Sequence, residues 1–493
     1  MTAWFQVTRR RWLALLLLLA LVRGSIYAGA VPLWQAPDEA AHFLYARVML
    51  DRGLRPPAAE DVPAGLTREI LAAMLQSDFE RYQPLVITRS SFLSDTPEIP
   101  GPSQLVHPPL YYAIAALWLW PLSHQEIILQ AYWMRELSVA LAVLIILLAY
   151  LTGRELFPDD DLLALAVPAT IMLIPAHTFI TSTINSDILA ELLVSAFVLA
   201  WVWTFRCGLT VGRGAVILLL MALGLWIKRS TVVTLPLGGL ALAIYSRPRW
   251  PRLRSRAGYL TLAGLFCAVL VLAAACLQRQ PPALADEPAA SVVTALTWDL
   301  RPWCYAVMND ALGLRVSHEA VQSLLDLRRS WTFRALYGWE AQNLVATFWA
   351  SFGTRTVTVR PLWIVLVALA SLLAGARGVI FLARQQHGPA GSVSGQRRAL
   401  AFCLAAAALT LLITFLRVHP LQSGSFIPHA RYSYIAVVPM TAFALWGGLH
   451  WTSPRVRSGL LATWLAGLFL LDAAALLYYI LPFYYGGPLS PWS

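Results

Sequence analysis

Runs of about 20 apolar residues recur from one end of the sequence to the other, and a chain built this way has few folds open to it. Inside a bilayer every backbone N–H and C=O must find a partner within the protein, which leaves helix bundles and closed barrels. Barrel strands alternate polar and apolar residues, and no long alternating segment is present. The expected fold class is an all-α polytopic membrane protein. Composition agrees: 58% of residues are hydrophobic and 13% charged, where soluble domains carry about 25% charged residues.

Eleven spans are expected, at roughly 12–33, 131–151, 162–181, 187–206, 213–228, 231–246, 257–277, 361–384, 399–418, 431–450 and 458–482. A further apolar segment at 109–122 is 14 residues long, too short to cross. The positive-inside rule puts Arg9, Arg10 and Arg11 in the cytoplasm, along with the five arginines of 247–256, Arg384, Arg397 and Arg398, and Arg455 and Arg457. All of these agree only if 109–122 lies in the outer interface as a juxtamembrane helix. The chain then reads as one integral-membrane domain over 1–493, with external loops at 34–108 and about 278–360. Segments 317–329 and 340–353 of the second loop have helical apolar spacing, as short interfacial helices would. Residues 387–396 read as a flexible cytoplasmic loop, and the C-terminus is expected outside. The N-terminal run also admits a signal peptide cut near Ala28-Gly29-Ala30. A retained helix suits a repeatedly spanning chain better.

The net charge of +11 does not point to nucleic acid, because the arginines sit in short loops between apolar runs. The five cysteines form no disulfide framework and no zinc spacing.

Five polar groupings carry chemistry. Asp38 and Glu39 follow the first span, and His42 follows them. A carboxylate at the wet mouth of a cavity can take a proton from a hydroxyl, while its neighbour holds an Arg or His. A helix cap explains Pro-Asp-Glu equally well. His107-Pro-Pro-Leu-Tyr111-Tyr112 enters the short helix; His107 suits an anion or a leaving group, and the tyrosines suit an aromatic belt. Asn185-Ser186-Asp187 opens the fourth span as a cap, but Glu191, one turn deeper on the same face, has no such explanation. Lys228, the only lysine, and Arg229 lie on the outer side against the positive-inside trend, as a phosphate clamp would. Arg431 repeats that placement before the tenth span. Arg23 and Asp472, inside apolar runs, are each expected to find polar partners in the bundle, with lining a pathway as the alternative. Carboxylates and cations thus converge on one outer face.

These residues resemble the GT-C superfamily of integral-membrane glycosyltransferases, especially bacterial relatives of protein mannosyltransferases and aminoarabinose transferases and membrane proteins beginning P-D-E-x-x-H. The matching pieces are PDEAAHF (37–43), HPPLYY (107–112), the second span from Arg135, INSD (184–187), WIKRSTVVTLPL (226–237) and HARY (429–432). The resemblance implies a catalytic base at Asp38 supported by Glu39, and a substrate cavity lined by His107, Tyr111, Asp187, Lys228, Arg229 and Arg431. It also implies a polyprenyl-phosphate sugar as donor, a glycan, lipid or protein as acceptor, and inversion at the anomeric carbon. Relatives often carry Lys where this chain has His107, and the soluble C-terminal domain of oligosaccharyltransferases is not expected. No cofactor is certain; some members use a divalent cation, and no metal ligands are assigned here. The expected place is the bacterial inner membrane, with chemistry on the periplasmic side. The alternatives are a transporter or flippase of lipid-linked saccharides, which should show internal repeats or helices broken at the midplane, and a non-catalytic protein of the same fold.

Overall fold

The computed structural model describes residues 2–82, 87, 92–101, 103–246, 331–353, 355–384, 393–416 and 429–486, for some of them the backbone alone. The expected span 257–277, the segment 317–329 and most of the second external loop lie outside these residues. The chain is nearly all helical. Its only strands among the described residues are Ser351–Phe352 and Val357–Thr358, paired antiparallel.

Seven described helices are long and apolar enough to cross a membrane: Arg10–Ala30, Ile127–Leu156, Asp187–Cys207, Pro361–Arg384, Gly395–Thr414, Ala430–Leu449 and Pro454–Tyr485. All seven fall on expected spans. On the first, Pro361–Arg384 and the last, large apolar side chains such as Leu18, Leu372, Leu373 and Leu470 face outward, as lipid contact requires. Helix Ile127–Leu156 is the spine and packs against the first helix, Asp161–Met172 and Asp187–Cys207. Pro361–Arg384 and Val437–Leu449 meet at Gly378 and Gly447, where backbones lie too close to admit a Cβ at Gly447.

The structure corrects several expectations. Segment 162–181 is not one straight span. It is two helices, Asp161–Met172 and Pro175–Thr181, bent by 66°. Pro175 is the cause: the residue before a proline is driven out of helical geometry, and Ile174 sits at φ −77°, ψ 110°. The chain therefore contains a broken helix, which the sequence reading lacked. Segments 213–228 and 231–246 form shorter helices, Val211–Leu225 and Thr234–Ser246, with the turn Arg229–Val233 between them. The helix expected over 340–353 runs Trp331–Trp349 and gives way to the strand pair. Helix Val393–Leu416 starts inside the loop assigned to 387–396. Segment 109–122 is a ten-residue helix, Leu110–Leu119, closed by a 3-10 turn, too short to span.

Arg23 and Asp472, each expected to find a polar partner in the bundle, find each other, joined by a bond of 2.7 Å from Arg23 Nε to Asp472 Oδ2. Tyr27 donates to the same carboxylate, and Arg23 also donates to the Met172 carbonyl at the helix break. The pair thus ties the first and last helices to the bend.

Candidate active site

The site begins where the first helix ends. Val31 to Asp38 form a tight loop in which Trp34 (φ 69°) and Asp38 (φ 63°) take the left-handed conformation. That conformation costs an L-residue about 1–2 kcal/mol, so it persists only where the surroundings over-determine it. The loop enters helix Glu39–Asp51. Asp38 holds the residue before that helix, yet its side chain makes no capping bond. The cap explanation of Asp38 is therefore corrected: its carboxylate is aimed elsewhere.

Glu39 supplies the over-determination. It is fully buried and paired with Arg135 through Nε–Oε1 at 2.7 Å and Nη2–Oε2 at 2.8 Å. Its oxygens also accept from the backbone N–H of Trp34 at 2.8 Å and of Ile184 at 3.1 Å. Arg135 uses its remaining donors on the carbonyls of Ala28, Val31 and Pro32. Four bonds fill the roughly four acceptor positions of a carboxylate, and five fill the arginine fork. Glu39 has no oxygen left for a substrate. It joins the end of the first helix, the Asp38 loop, the spine helix and the strand of chain leading to Asp187.

Asp38 meets Arg431, with Oδ2 2.8 Å from Nη2. Arg431 also donates to the Tyr432 hydroxyl, while its buried Nε has no hydrogen-bond partner. Its turn, Ala430–Tyr432, is fixed by Thr347, whose hydroxyl accepts from Ala430 N, and by His429, whose Nδ1 accepts from Arg431 N. Asp187 meets Lys228, with Oδ1 2.6 Å from Nζ. Asp187 begins its helix behind Asn185, whose Oδ1 accepts from Ile188 N and provides the cap. Lys228 sits at the corner after Val211–Leu225, and its carbonyl accepts from the Thr231 hydroxyl. Asp187 Oδ2 and Ser230 Oγ are buried without a hydrogen-bond partner. The two pairs form one cluster: Lys228 also acts on Asp38, and Arg431 on Asp187.

Burial pushes the Asp38 carboxyl up, but the Arg431 guanidinium and the other charges of the cluster prevail and hold it below its ordinary value. Burial, helped by Lys228, pushes His42 down to about 3. His42 is therefore neutral; its Nδ1 lies 2.8 Å from the Tyr112 hydroxyl. Burial likewise takes His429 down to about 3, with Arg431 and Arg355 nearby.

Of the residues singled out in the sequence, the structure brings Asp38, Asp187, Lys228 and Arg431 into this cluster. Glu39 stands behind it. Tyr111 and Tyr112 are fully buried against His42 and Tyr45, so the aromatic-belt explanation is corrected: the rings pack in protein rather than lipid. His107 is half-buried, and its carbonyl accepts from Tyr45. Leu110 N donates to the Trp226 carbonyl, which pins the short helix to the Lys228 corner. The Arg229 side chain lies outside the described residues. Sequence reasoning missed two residues. Arg135 was read only as part of a motif, although an arginine inside an apolar run signals a buried partner. His177, on the bent half-helix, pairs with Glu191 at 2.7 Å and accounts for that acid.

A divalent cation does not fit these residues. Among the described residues no three His, Cys, Asp or Glu side chains are grouped to hold one. Asp38 and Asp187 each face a cation already.

No protein-family profile matches the chain, and no curated protein matches it. Solved structures do. The archaeal oligosaccharyltransferase AglB from Archaeoglobus fulgidus, in complex with an inhibitory peptide and a dolichol-phosphate, superposes with a TM-score of 0.51 at 12% identity, over 95% of this chain and 56% of that one. This chain thus spans little more than half the length of that protein. ArnT from Cupriavidus metallidurans bound to undecaprenyl phosphate aligns more loosely, with a TM-score of 0.36 at 14% identity over 94% of this chain and 77% of that one. The first likeness shows the fold: a multi-pass helical bundle like that of the archaeal oligosaccharyltransferase.

Proposed function

We propose that the chain is an inverting glycosyltransferase that moves a sugar from a polyprenyl-phosphate donor to an acceptor hydroxyl on the periplasmic face of a bacterial inner membrane. One observation carries this reading. Two carboxylate–cation pairs, drawn from four separate stretches of chain, form one buried cluster that still holds unpartnered polar atoms. Such a cluster suits a reaction in which a proton leaves one group while an anion forms beside it. The fold is shared with a protein whose complex contains a dolichol-phosphate, which agrees with a lipid phosphate as the donor's carrier.

In this reading the acceptor oxygen attacks the anomeric carbon from the face opposite the leaving group. The new C–O bond forms as the bond from that carbon to the phosphate oxygen breaks, and the electron pair stays on the phosphate. The acceptor proton passes to Asp38. Lys228 and Arg431, with Arg229 next to Lys228 in sequence, stabilise the leaving phosphate. A phosphate engaging Lys228 and Arg431 also weakens their hold on Asp38, so donor binding makes Asp38 a stronger base. Asp187 keeps Lys228 in place between turnovers. No step needs a metal ion.

The test uses purified protein in detergent with radiolabelled polyprenyl-phosphate sugars. Wild type transfers the sugar or slowly hydrolyses the donor, and Asp38→Asn and Lys228→Ala do neither. Equal behaviour of wild type and both variants with every donor and acceptor overturns the assignment. A second reading, a flippase or transporter of lipid-linked saccharides, draws on the broken helix and the buried His177–Glu191 pair. It predicts movement across sealed vesicles without any transfer in detergent.

A further inference from the structure

Asp38 is shared between two environments. On one side stand Arg431 and Lys228. On the other, Asp38 lines an open cleft together with Trp34, Pro37, Ala41, Met74 and Phe79. Among the described residues that line this cleft none is a Lys, Arg or His. Trp34 is 1% exposed, and its indole N–H has no hydrogen-bond partner. An indole N–H is a donor only, so a ligand that satisfies it must bring an oxygen or nitrogen acceptor. A buried polar group left without a partner costs free energy that such a ligand recovers.

We propose that this cleft is the acceptor site, and that it takes an uncharged saccharide, with the Trp34 indole N–H donating to one of its oxygens and Asp38 facing its reacting hydroxyl. The inference rests on the glycosyltransferase reading. The chemistry of the lining selects the class. An anionic acceptor would meet a carboxylate and no cation. A hydrocarbon would leave the indole N–H unsatisfied. A sugar offers flat C–H faces to aromatic and proline surfaces, and ring and hydroxyl oxygens to the indole. The arrangement also separates charges by side: phosphate against Lys228 and Arg431, neutral hydroxyls against Asp38 and Trp34.

The test reads two ligands on one preparation. Full-length protein is placed in lipid nanodiscs, free of glycoside detergent. It is titrated with undecaprenyl phosphate, and with a panel of neutral di- and trisaccharides alongside their phosphorylated and uronate counterparts. Saccharide binding is followed by saturation-transfer difference NMR. At least one neutral sugar binds and its charged counterparts do not. Trp34→Phe, which keeps the ring and removes the donor, weakens that sugar about five- to tenfold, as loss of one hydrogen bond should. Ala41→Phe, at a half-exposed helix position, fills the cleft and weakens it further. Both variants bind undecaprenyl phosphate within about twofold of wild type, as expected if the lipid phosphate uses the other side. If undecaprenyl phosphate binds but no neutral sugar does, or both variants leave sugar binding unchanged, or charged sugars bind equally well, the acceptor site is overturned and the glycosyltransferase reading stands. If undecaprenyl phosphate does not bind wild type, the reading beneath the proposal fails, and the proposal with it.

Discussion

Replacing Arg135 with lysine separates charge from geometry at the centre of the site. The substitution keeps a cation beside Glu39 but offers three donors in place of five. Arg135 makes two bonds to Glu39 and three to the carbonyls of Ala28, Val31 and Pro32, all at 3.0 Å or less. At least two of those five acceptors lose their partner. A buried acceptor left unsatisfied costs about 1–3 kcal/mol, so Arg135→Lys should cost about 2–6 kcal/mol. Glu39→Gln makes the opposite error, leaving Arg135 as an uncompensated buried charge at a cost of about 3–5 kcal/mol. Activity should fall further than stability. The knot holds Asp38 in a left-handed backbone conformation, and a displacement of about 1 Å at a reacting group costs about 100-fold in rate. Both variants should melt several degrees below wild type in nanodiscs, followed by tryptophan fluorescence. At temperatures where Arg135→Lys is still folded, transfer should already be lost. If Arg135→Lys melts within about 1 °C of wild type, where even 1 kcal/mol moves a mid-sized domain by about 2–4 °C, and transfers normally, the positioning argument is refuted.

Further outcomes follow from the same geometry. Asp38→Asn should keep the left-handed backbone, which asparagine tolerates, and melt near wild type while losing about 100- to 10,000-fold in transfer rate; a retained rate sinks the base assignment. Asp38→Ala should add a melting penalty, because alanine resists that conformation. His42 and His429 each have a folded pKa depressed to about 3, below the unfolded value of about 6.5. The unfolded chain thus binds more protons below pH 6.5, and stability falls as pH drops from there toward 3, by up to about 1.4 kcal/mol per unit for each histidine. The depressed Asp38 adds a loss confined to lower pH. The melting temperature of wild type should therefore drop between pH 7 and 5, and a His42→Gln variant should show a shallower drop; equal slopes contradict it. In a cysteine-free background, a thiol at exposed Glu60 should label from outside and one at exposed Val211 from the cytoplasm. Chelators should leave transfer unchanged, because two cations already neutralise the site's carboxylates.

The sequence by itself determined the class of fold. Apolar runs of spanning length are read residue by residue, and a bilayer permits only a helix for each. Arginine placement added sidedness, and sidedness gathered Asp38, Asp187, Lys228 and Arg431 on one face before any contact was known. The break at Pro175 was not readable in the same way, because Pro168 lies inside helix Asp161–Met172 without ending it. Which residues touch was not readable. The partners Glu39–Arg135, His177–Glu191 and Arg431–Asp38 lie 96, 14 and 393 residues apart. Nothing in local pattern distinguishes a carboxylate that will be locked in a fork from its neighbour that will face a cavity. That difference arises because successive residues at the helix start point in different directions. The packed bundle gives Glu39 a buried arginine and leaves Asp38 at an open wall. Only the tertiary structure decided that one acid of the Pro-Asp-Glu motif is locked against Arg135 while the other meets Arg431 and lines the cleft.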